Sequence, residues 1–223
     1  MTAYGDQMAW TSAEVNAMGG TGTSLYRGGY SNIFNPAYLV LARSSRFDAS
    51  LALDQQHEDR FQPLFDSFDS KVTDAAIASN RNHYEQSGFG YAWQAGTEDH
   101  PVGIAVSLTD RYGFDYNFEE ELRNPSGRDI GTRDLFFEER QVSIAGTVRN
   151  LSLGFGSEIS DRFSVGAALH YAFGTRTESR SVRDYYMDDG DNSYWSEDRQ
   201  ELEGTNYTVG ARGVINERIE IGL

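Results

Sequence analysis

The chain has no cysteine, only four prolines, and no long apolar run. Without cysteine there are no disulfides and no thiolate metal sites, and the compartment stays open. No stretch approaches the roughly 20 apolar residues of a membrane-crossing helix. That excludes a helical membrane protein but leaves a β-barrel, whose spans alternate and give a weak hydropathy signal. Basic residues are scarce as well: 19 Lys and Arg stand against 34 Asp and Glu, for a formal charge of −15. A nucleic-acid partner wants a basic surface and is not expected. The opening "MTAYGDQMAWTSAE" has no basic start followed by an apolar core, so no signal peptide is read in this chain. What is abundant is glycine and aromatics, 23 Gly, 13 Tyr and 13 Phe, a load that argues against disorder.

The dominant pattern has a period of two. In "RFSVGAALHYAFG", Phe163, Val165, Ala167, Leu169, Tyr171 and Phe173 fall on one face. Ser164, Gly166, Ala168, His170, Ala172 and Gly174 fall on the other. That is a strand with one greasy face and one small or polar face. In "PVGIAVSLTDRYGFDYNFEE", one strand over 101–120 puts Val102, Ile104, Val106, Leu108, Tyr112, Phe114, Tyr116 and Phe118 together. Further strands are expected at about 45–57, 81–96, 134–159, 162–174, 194–214 and from 218 on. Within 134–159 the apolar parity changes, from Val142, Ile144 and Val148 to Leu151, Leu153 and Phe155. A β-bulge near Arg149-Asn150 would restore a single face, and a tight turn there is the alternative.

The connections alternate. "GTEDHP", "SDR" and "NER" are short, whereas 58–80, 122–133 and 187–193 are long and polar. Short turns at one end and long excursions at the other suit an up-and-down barrel in an outer membrane. Aromatics near strand ends, Tyr112, Phe114, Tyr116 and Phe118 with Tyr171 and Phe173, sit where an interfacial girdle belongs. Soluble barrels alternate too, but their outward face carries denser charge than glycine, alanine and serine. The expected fold is therefore all-β: an antiparallel transmembrane barrel of which about seven strands are visible. Such barrels are closed and carry an even strand number, so the barrel is expected to continue past residue 223. A closed eight-strand barrel that recruits an N-terminal segment is the alternative.

The stretch "AEVNAMGGTGTSLYRGGYSNIFNPAYL" precedes the first strand. It resembles the N-terminal hatch and Asn-Pro-Ala motif of the FadL/TodX family of outer-membrane transporters. The matching residues are Gly19, Gly20 and Gly22, a spacer with Gly28 and Gly29, then Asn35, Pro36 and Ala37. The resemblance covers roughly residues 12–55 and implies a hatch over 1–43 with barrel strands over 44–223. It implies fourteen strands in all, and passive uptake of hydrophobic small molecules such as long-chain fatty acids or aromatic hydrocarbons. Outer-membrane lipid and lipopolysaccharide are the implied surroundings. Irregular backbone is tolerated at membrane depth only where protein surrounds it, which gives the glycine-rich plug its reason. A relative of the same architecture, the PorV type, is instead a scaffold in protein secretion; that alternative and a soluble β-rich binding module both stay open.

Catalytic signatures are lacking: no Gly-x-Ser-x-Gly elbow and no metal-spaced His pair. The chain is read as a non-enzyme with no cofactor and no metal. His57, His83, His100 and His170 are scattered, and only His170 falls on the expected lumen face, where a hydrolase would need a Ser partner. Arg111, His170 and Arg212 are the lumen candidates for ligand contact. "DDGDN" offers Asp188, Asp189 and Asp191 to calcium but lacks an EF-hand's length and terminal Glu, so a solvated loop tip is the plainer reading. The acidic runs "FEEEL" and "FFEER" either bridge through divalent cations to surface lipids or pair with Arg123, Arg128, Arg133 and Arg140, and cross-strand pairing is the plainer reading.

Overall fold

The computed structural model describes residues 6–7, 12–25, 28–42, 44–65, 68, 70–97, 100–123, 136–185, 193–216 and 218–223. The alternating segments fold as antiparallel strands, several of them far beyond the usual ten residues. They are β1 (Asp6–Gln7), β2 (Arg46–Phe65), β3 (Lys71–Gly96), β4 (Pro101–Gly113) and β5 (Tyr116–Arg123). Then follow β6 (Phe136–Ser160), β7 (Phe163–Asp184), β8 (Tyr194–Asn216) and β9 (Ile219–Gly222). All belong to one sheet, in which β2 to β9 run as neighbours and β4 and β5 share the lane between β3 and β6. β2 and β9 form its two edges, and no ladder joins them among the described residues.

The three short connections, β3–β4, β6–β7 and β8–β9, lie at one end of the sheet, as antiparallel pairing requires. At the other end the structure corrects one expectation. Residues 58–80 are not a long excursion: β2 runs on to Phe65 and β3 begins at Lys71. Polar and apolar residues are mixed on both faces there, so the period of two is lost in composition although the ladder persists. Pro63 is tolerated because β2 is an edge strand with one side free of ladder bonds. Most of 122–133 and 187–193, including Asp188, Asp189 and Asp191, lies outside the described residues.

The sheet is inside-out by the standard of a soluble protein. On the outward face Leu169 is 57% exposed and its cross-strand neighbour Tyr207 80%. The opposite face buries Ser152, Ser164, Ala168 and His170. What covers that inner face is the N-terminal segment: helices α1 (Ala13–Ala17), α2 (Gly22–Leu25) and α3 (Ser31–Phe34), then a 3-10 helix Pro36–Leu41. Val15, Tyr30, Ala37, Tyr38, Leu39 and Val40 of that segment are buried. The 3-10 helix touches β3, β4, β6, β7 and β8, so the sheet wraps around it.

The expected bulge at Arg149-Asn150 is absent, and so is a turn. β6 pairs with β7 without interruption from Glu138↔Asp184 to Glu158↔Ser164. The bulge lies instead on β4, where Asp110 pairs with Arg149 and Tyr112 with Val148, leaving Arg111 as the extra residue. β6 needs no correction because its apolar residues really do change sides: Leu151, Leu153 and Phe155 face outward, whereas Ile144 and Val148 are buried inward. One consequence reverses a second expectation. Beyond Arg111 the parity of the chain flips, so Tyr112, Phe114 and Tyr116 pack inward on Ile144 and Val148 rather than joining an outer girdle.

Candidate functional site

The N-terminal segment is locally well specified. Ser12 caps α1, accepting a hydrogen bond from Val15 N at 3.4 Å. The helix ends in a Schellman motif: Gly19 N donates to Asn16 O at 3.0 Å and Gly20 N to Val15 O at 2.8 Å. Gly19 and Gly20 have φ of +67° and +89°, the left-handed region that glycine enters without cost. Gly22 lies under the ring of Phe34, where a Cβ would collide. Gly28 N donates to Ser31 Oγ at 2.9 Å, and Gly29 N to Asp48 Oδ2 of β2 at 2.5 Å.

Asn35 is the hub of the segment. Its Oδ1 accepts from Ala37 N at 3.0 Å, capping the 3-10 helix that Pro36 begins. Its Nδ2 lies 3.1 Å from Thr23 O, 3.0 Å from Ala211 O and 3.1 Å from Leu223 O. One side chain thus ties α2, β8 and the chain beyond β9 to the Asn-Pro-Ala turn. Beneath it runs a feature that no reading of the linear sequence reveals. Gly103, Gly156, Gly166 and Gly210 are register partners across β4, β6, β7 and β8, forming one row. A Cβ on any of them would strike Leu39, Pro36, Ala37 or Asn35. The turn lies in a trench paved with glycine, which allows backbone-to-backbone approach.

Two rows further along the strands the inner face becomes polar, with Ser107, Ser152, His170 and Asn206 in register. Asn32 reaches this row from α3: its Nδ2 donates to Ser152 O at 3.3 Å, and its Oδ1 accepts from Ser107 Oγ at 3.1 Å. His170 has the Ser partner the sequence reading asked for, with Nδ1 2.7 Å from Ser152 Oγ. Its Nε2 meets Thr208 Oγ1 at 3.0 Å, where a triad would place its orienting acid on the other ring nitrogen's side. Ser152 is 0% exposed, so no substrate reaches its hydroxyl. This is a hydrogen-bonded layer that holds α3 to the wall.

Beyond that layer the inner face turns apolar and opens into a cavity of about 590 Å³. Tyr112, Phe114, Val148, Ala172 and Leu202 line it, with Arg176, Gln200 and Glu203 at its rim. The volume suits a small ligand, and the lining is the apolar surface with few polar groups that such sites show. None of these residues was read from sequence as lining a pocket: Tyr112 and Phe114 were expected on the outer face, and Leu202, Arg176 and Gln200 were passed over. The signal was present, in the parity change of Val142, Ile144 and Val148, but reads as a fault in one face when it is in truth a pocket on the other. Leu202→Gln is expected to weaken an apolar fluorescent probe about tenfold, since it trades buried methyl groups for an amide. Fluorescence titration of wild type against variant checks this.

The three lumen candidates all lie on the inner face but differ in availability. Arg111, the bulge residue, stacks over Tyr112 at 5.7 Å and lies within electrostatic reach of His170. Arg212 is occupied: its Nε and Nη2 bond Glu220 at 3.0 and 3.4 Å, and its guanidinium covers Tyr38. His170 is enclosed in the polar layer. Arg176, which sequence reading passed over, is the cation at the cavity rim, paired with Glu178. Burial works to raise the Glu178 pKa, but hydrogen bonds and charge from Arg176 and Arg180 outweigh it and leave that carboxyl below its ordinary value. A depressed folded pKa means stability that is full above the unfolded value and is lost as pH falls through the folded one. The rim is therefore expected to loosen in acid and not in mild alkali, and Glu178→Gln should flatten that acid limb in a pH series of thermal melts.

The ladder beside the cavity is interrupted. β3 pairs with β4 up to Gly88↔Thr109 and with β5 from Asn80↔Phe118. Between these points side chains replace ladder carbonyls: Asp110 Oδ2 accepts from Ser87 N at 2.6 Å, and Asp115 Oδ2 from His83 N at 3.0 Å. Asn82 Oδ1 accepts from Asn117 N at 3.1 Å.

At the strand ends Arg123 pairs with Glu121 at 2.7 Å and Arg140 with Glu138, both along their own strands, while Arg128 and Arg133 lie outside the described residues. Among the described residues no cluster of His, Asp and Glu is placed to hold a metal ion. No family model, no curated protein and no solved structure gives a significant match to the chain.

Proposed function

We propose that this chain forms wall strands of an outer-membrane β-barrel, that residues 12–42 are its lumenal hatch, and that the barrel takes up hydrophobic small molecules passively. The observation that carries the reading is the inverted sheet. Along β7 the outward apolar face runs from Phe163 to Phe173, ten residue steps. At about 3.3 Å per step and a tilt of about 40°, that band is about 25 Å tall, the height of the apolar belt on outer-membrane barrels. Its upper edge carries Asp110, Arg149 and Glu203 in one row, with Tyr171 Oη donating to Glu203 at 3.0 Å. An aromatic hydroxyl bonded at the edge of an apolar belt is the arrangement of an interfacial anchor.

The cavity on the inner face supports cargo uptake over a purely scaffolding role, because it offers an apolar lining on the hatch side of the wall. Lipid-soluble cargo needs binding and release only, so no catalytic group is required. The ligand class is long-chain fatty acids or aromatic hydrocarbons. The test is equilibrium binding of a fluorescent fatty acid to the protein in detergent, with competition by unlabelled fatty acid. Saturable, competed binding that Leu202→Gln weakens supports uptake, and no saturable binding overturns it.

A further inference from the structure

We propose that the outward wall above the apolar belt carries a saccharide site, a polar groove that binds the core sugars of lipopolysaccharide. This rests on the outer-membrane reading above. The groove has a volume of about 270 Å³, and Ser79, Arg81, Asn117, Glu119 and Gln141 of β3, β5 and β6 line it. Gln141 shares the parity of Leu151 and Leu153 on β6, Glu119 is its register partner, and Ser79 is the partner of Glu119. These side chains therefore stand on the face that is apolar lower down.

The height of the groove decides what can reach it. Gln141 is eight residue steps beyond Arg149, which marks the upper edge of the apolar band. At about 3.3 Å per step and a tilt of about 40°, it stands about 20 Å above that edge. The polar headgroup layer is only about 5–8 Å deep on each side of the hydrocarbon. Headgroups end well below the groove. In an outer leaflet, what continues upward is the sugar chain of lipopolysaccharide.

The lining has the chemistry a sugar needs. Sugar hydroxyls donate and accept, and amide, carboxylate and guanidinium groups supply both kinds of partner. Part of the lining is held ready. Arg81 Nε lies 3.2 Å from His57 Nε2, which lies 3.1 Å from Asp59 Oδ1. Asn117 Oδ1 accepts from Ser143 Oγ at 2.7 Å, and its Nδ2 donates to Asp115 Oδ1 at 3.1 Å. Glu119 and Gln141 are exposed and make no hydrogen bond or ion pair among the described residues, so their polar atoms are open to a ligand. Two carboxylates, Glu119 and Glu121, stand against one guanidinium, Arg81, in the lining. That balance favours neutral hydroxyls over phosphate.

A stacking surface lies in the same row. Gln141 pairs with Ser181 and Ser181 with Trp195, whose side chain is 66% exposed. Two strand spacings, about 10 Å, separate Gln141 from Trp195, within the span of a short oligosaccharide. The electron-rich indole face attracts the C–H face of a sugar ring as it does the edge of another aromatic ring.

The test is isothermal calorimetry with core oligosaccharide, freed of lipid A by mild acid and titrated into the protein in detergent. The expected result is saturable binding, kept within twofold after the oligosaccharide is dephosphorylated. Trp195→Ala and Gln141→Ala are each expected to weaken it about fivefold. Both side chains are exposed, and both variants should bind a fluorescent fatty acid within twofold of wild type. The site is overturned if no saturable binding is seen, if dephosphorylation abolishes it, or if both variants bind the oligosaccharide as wild type does. In each of these cases a continued need for detergent leaves the outer-membrane reading standing. Folded protein in the aqueous fraction without detergent overturns that reading, and the saccharide site with it.

Discussion

Asn35→Asp is expected to cost about 3–5 kcal/mol, more than Asn35→Ala, although Asp matches Asn in shape. The amide Nδ2 sits among three carbonyl oxygens, from Thr23, Ala211 and Leu223. A carboxylate there keeps the cap on Ala37 N but turns an acceptor, and a charge, toward three acceptors. Asn35 is buried, so water cannot screen it. Alanine loses the cap and leaves Thr23 O and Ala37 N without a partner, at a cost of about 1–3 kcal/mol. Ala211 and Leu223 suffer less, because their backbones also bond one another at 2.9 and 3.0 Å. Thermal melts in detergent give the ranking, and limited proteolysis shows whether the N-terminal segment is released. Equal stability of the Asp variant and wild type would remove Asn35 from its place as hub.

Leu169→Arg is expected to cost about 2–4 kcal/mol when the protein is folded into bilayers. Leu169 lies mid-band on the outward face, between Leu153 and Tyr207 in register. On a water-exposed surface the same change would fall within about 0.5 kcal/mol, since an exposed leucine has little to lose. Gln141→Arg is the control: its side chain is exposed on β6 beyond the band, and no penalty above about 0.5 kcal/mol is expected. Folding titrations of the two variants side by side separate lipid from water as the solvent of that face.

The strands themselves were legible because one face is uniformly apolar and the other uniformly small. β7 and β8 were found nearly to the residue at their short-turn ends for that reason. Where polar and apolar residues mix on both faces, as over 58–80, the ladder continues without a period of two to mark it. Arg111 defeated the reading of 101–120 because a bulge in an unbroken alternation leaves the pattern intact and reverses its meaning. Four aromatics were placed outward on that account, three of which pack about the inner cluster that borders the cavity. The glycines of the N-terminal segment were noticed as a run, whereas Gly103, Gly156, Gly166 and Gly210 under the Asn-Pro-Ala turn are scattered along the sequence and become neighbours solely through register. A sequence read strand by strand has no access to a row that crosses strands.

The measurement that bears most directly on the central claim is partition and heat-modifiability of the protein expressed in a bacterium with an outer membrane. The protein is expected to be extracted from the membrane fraction only by detergent, and unheated and heated samples are expected to migrate differently in denaturing gels. Recovery of folded protein from the aqueous fraction without detergent, migrating the same before and after heating, would contradict that claim.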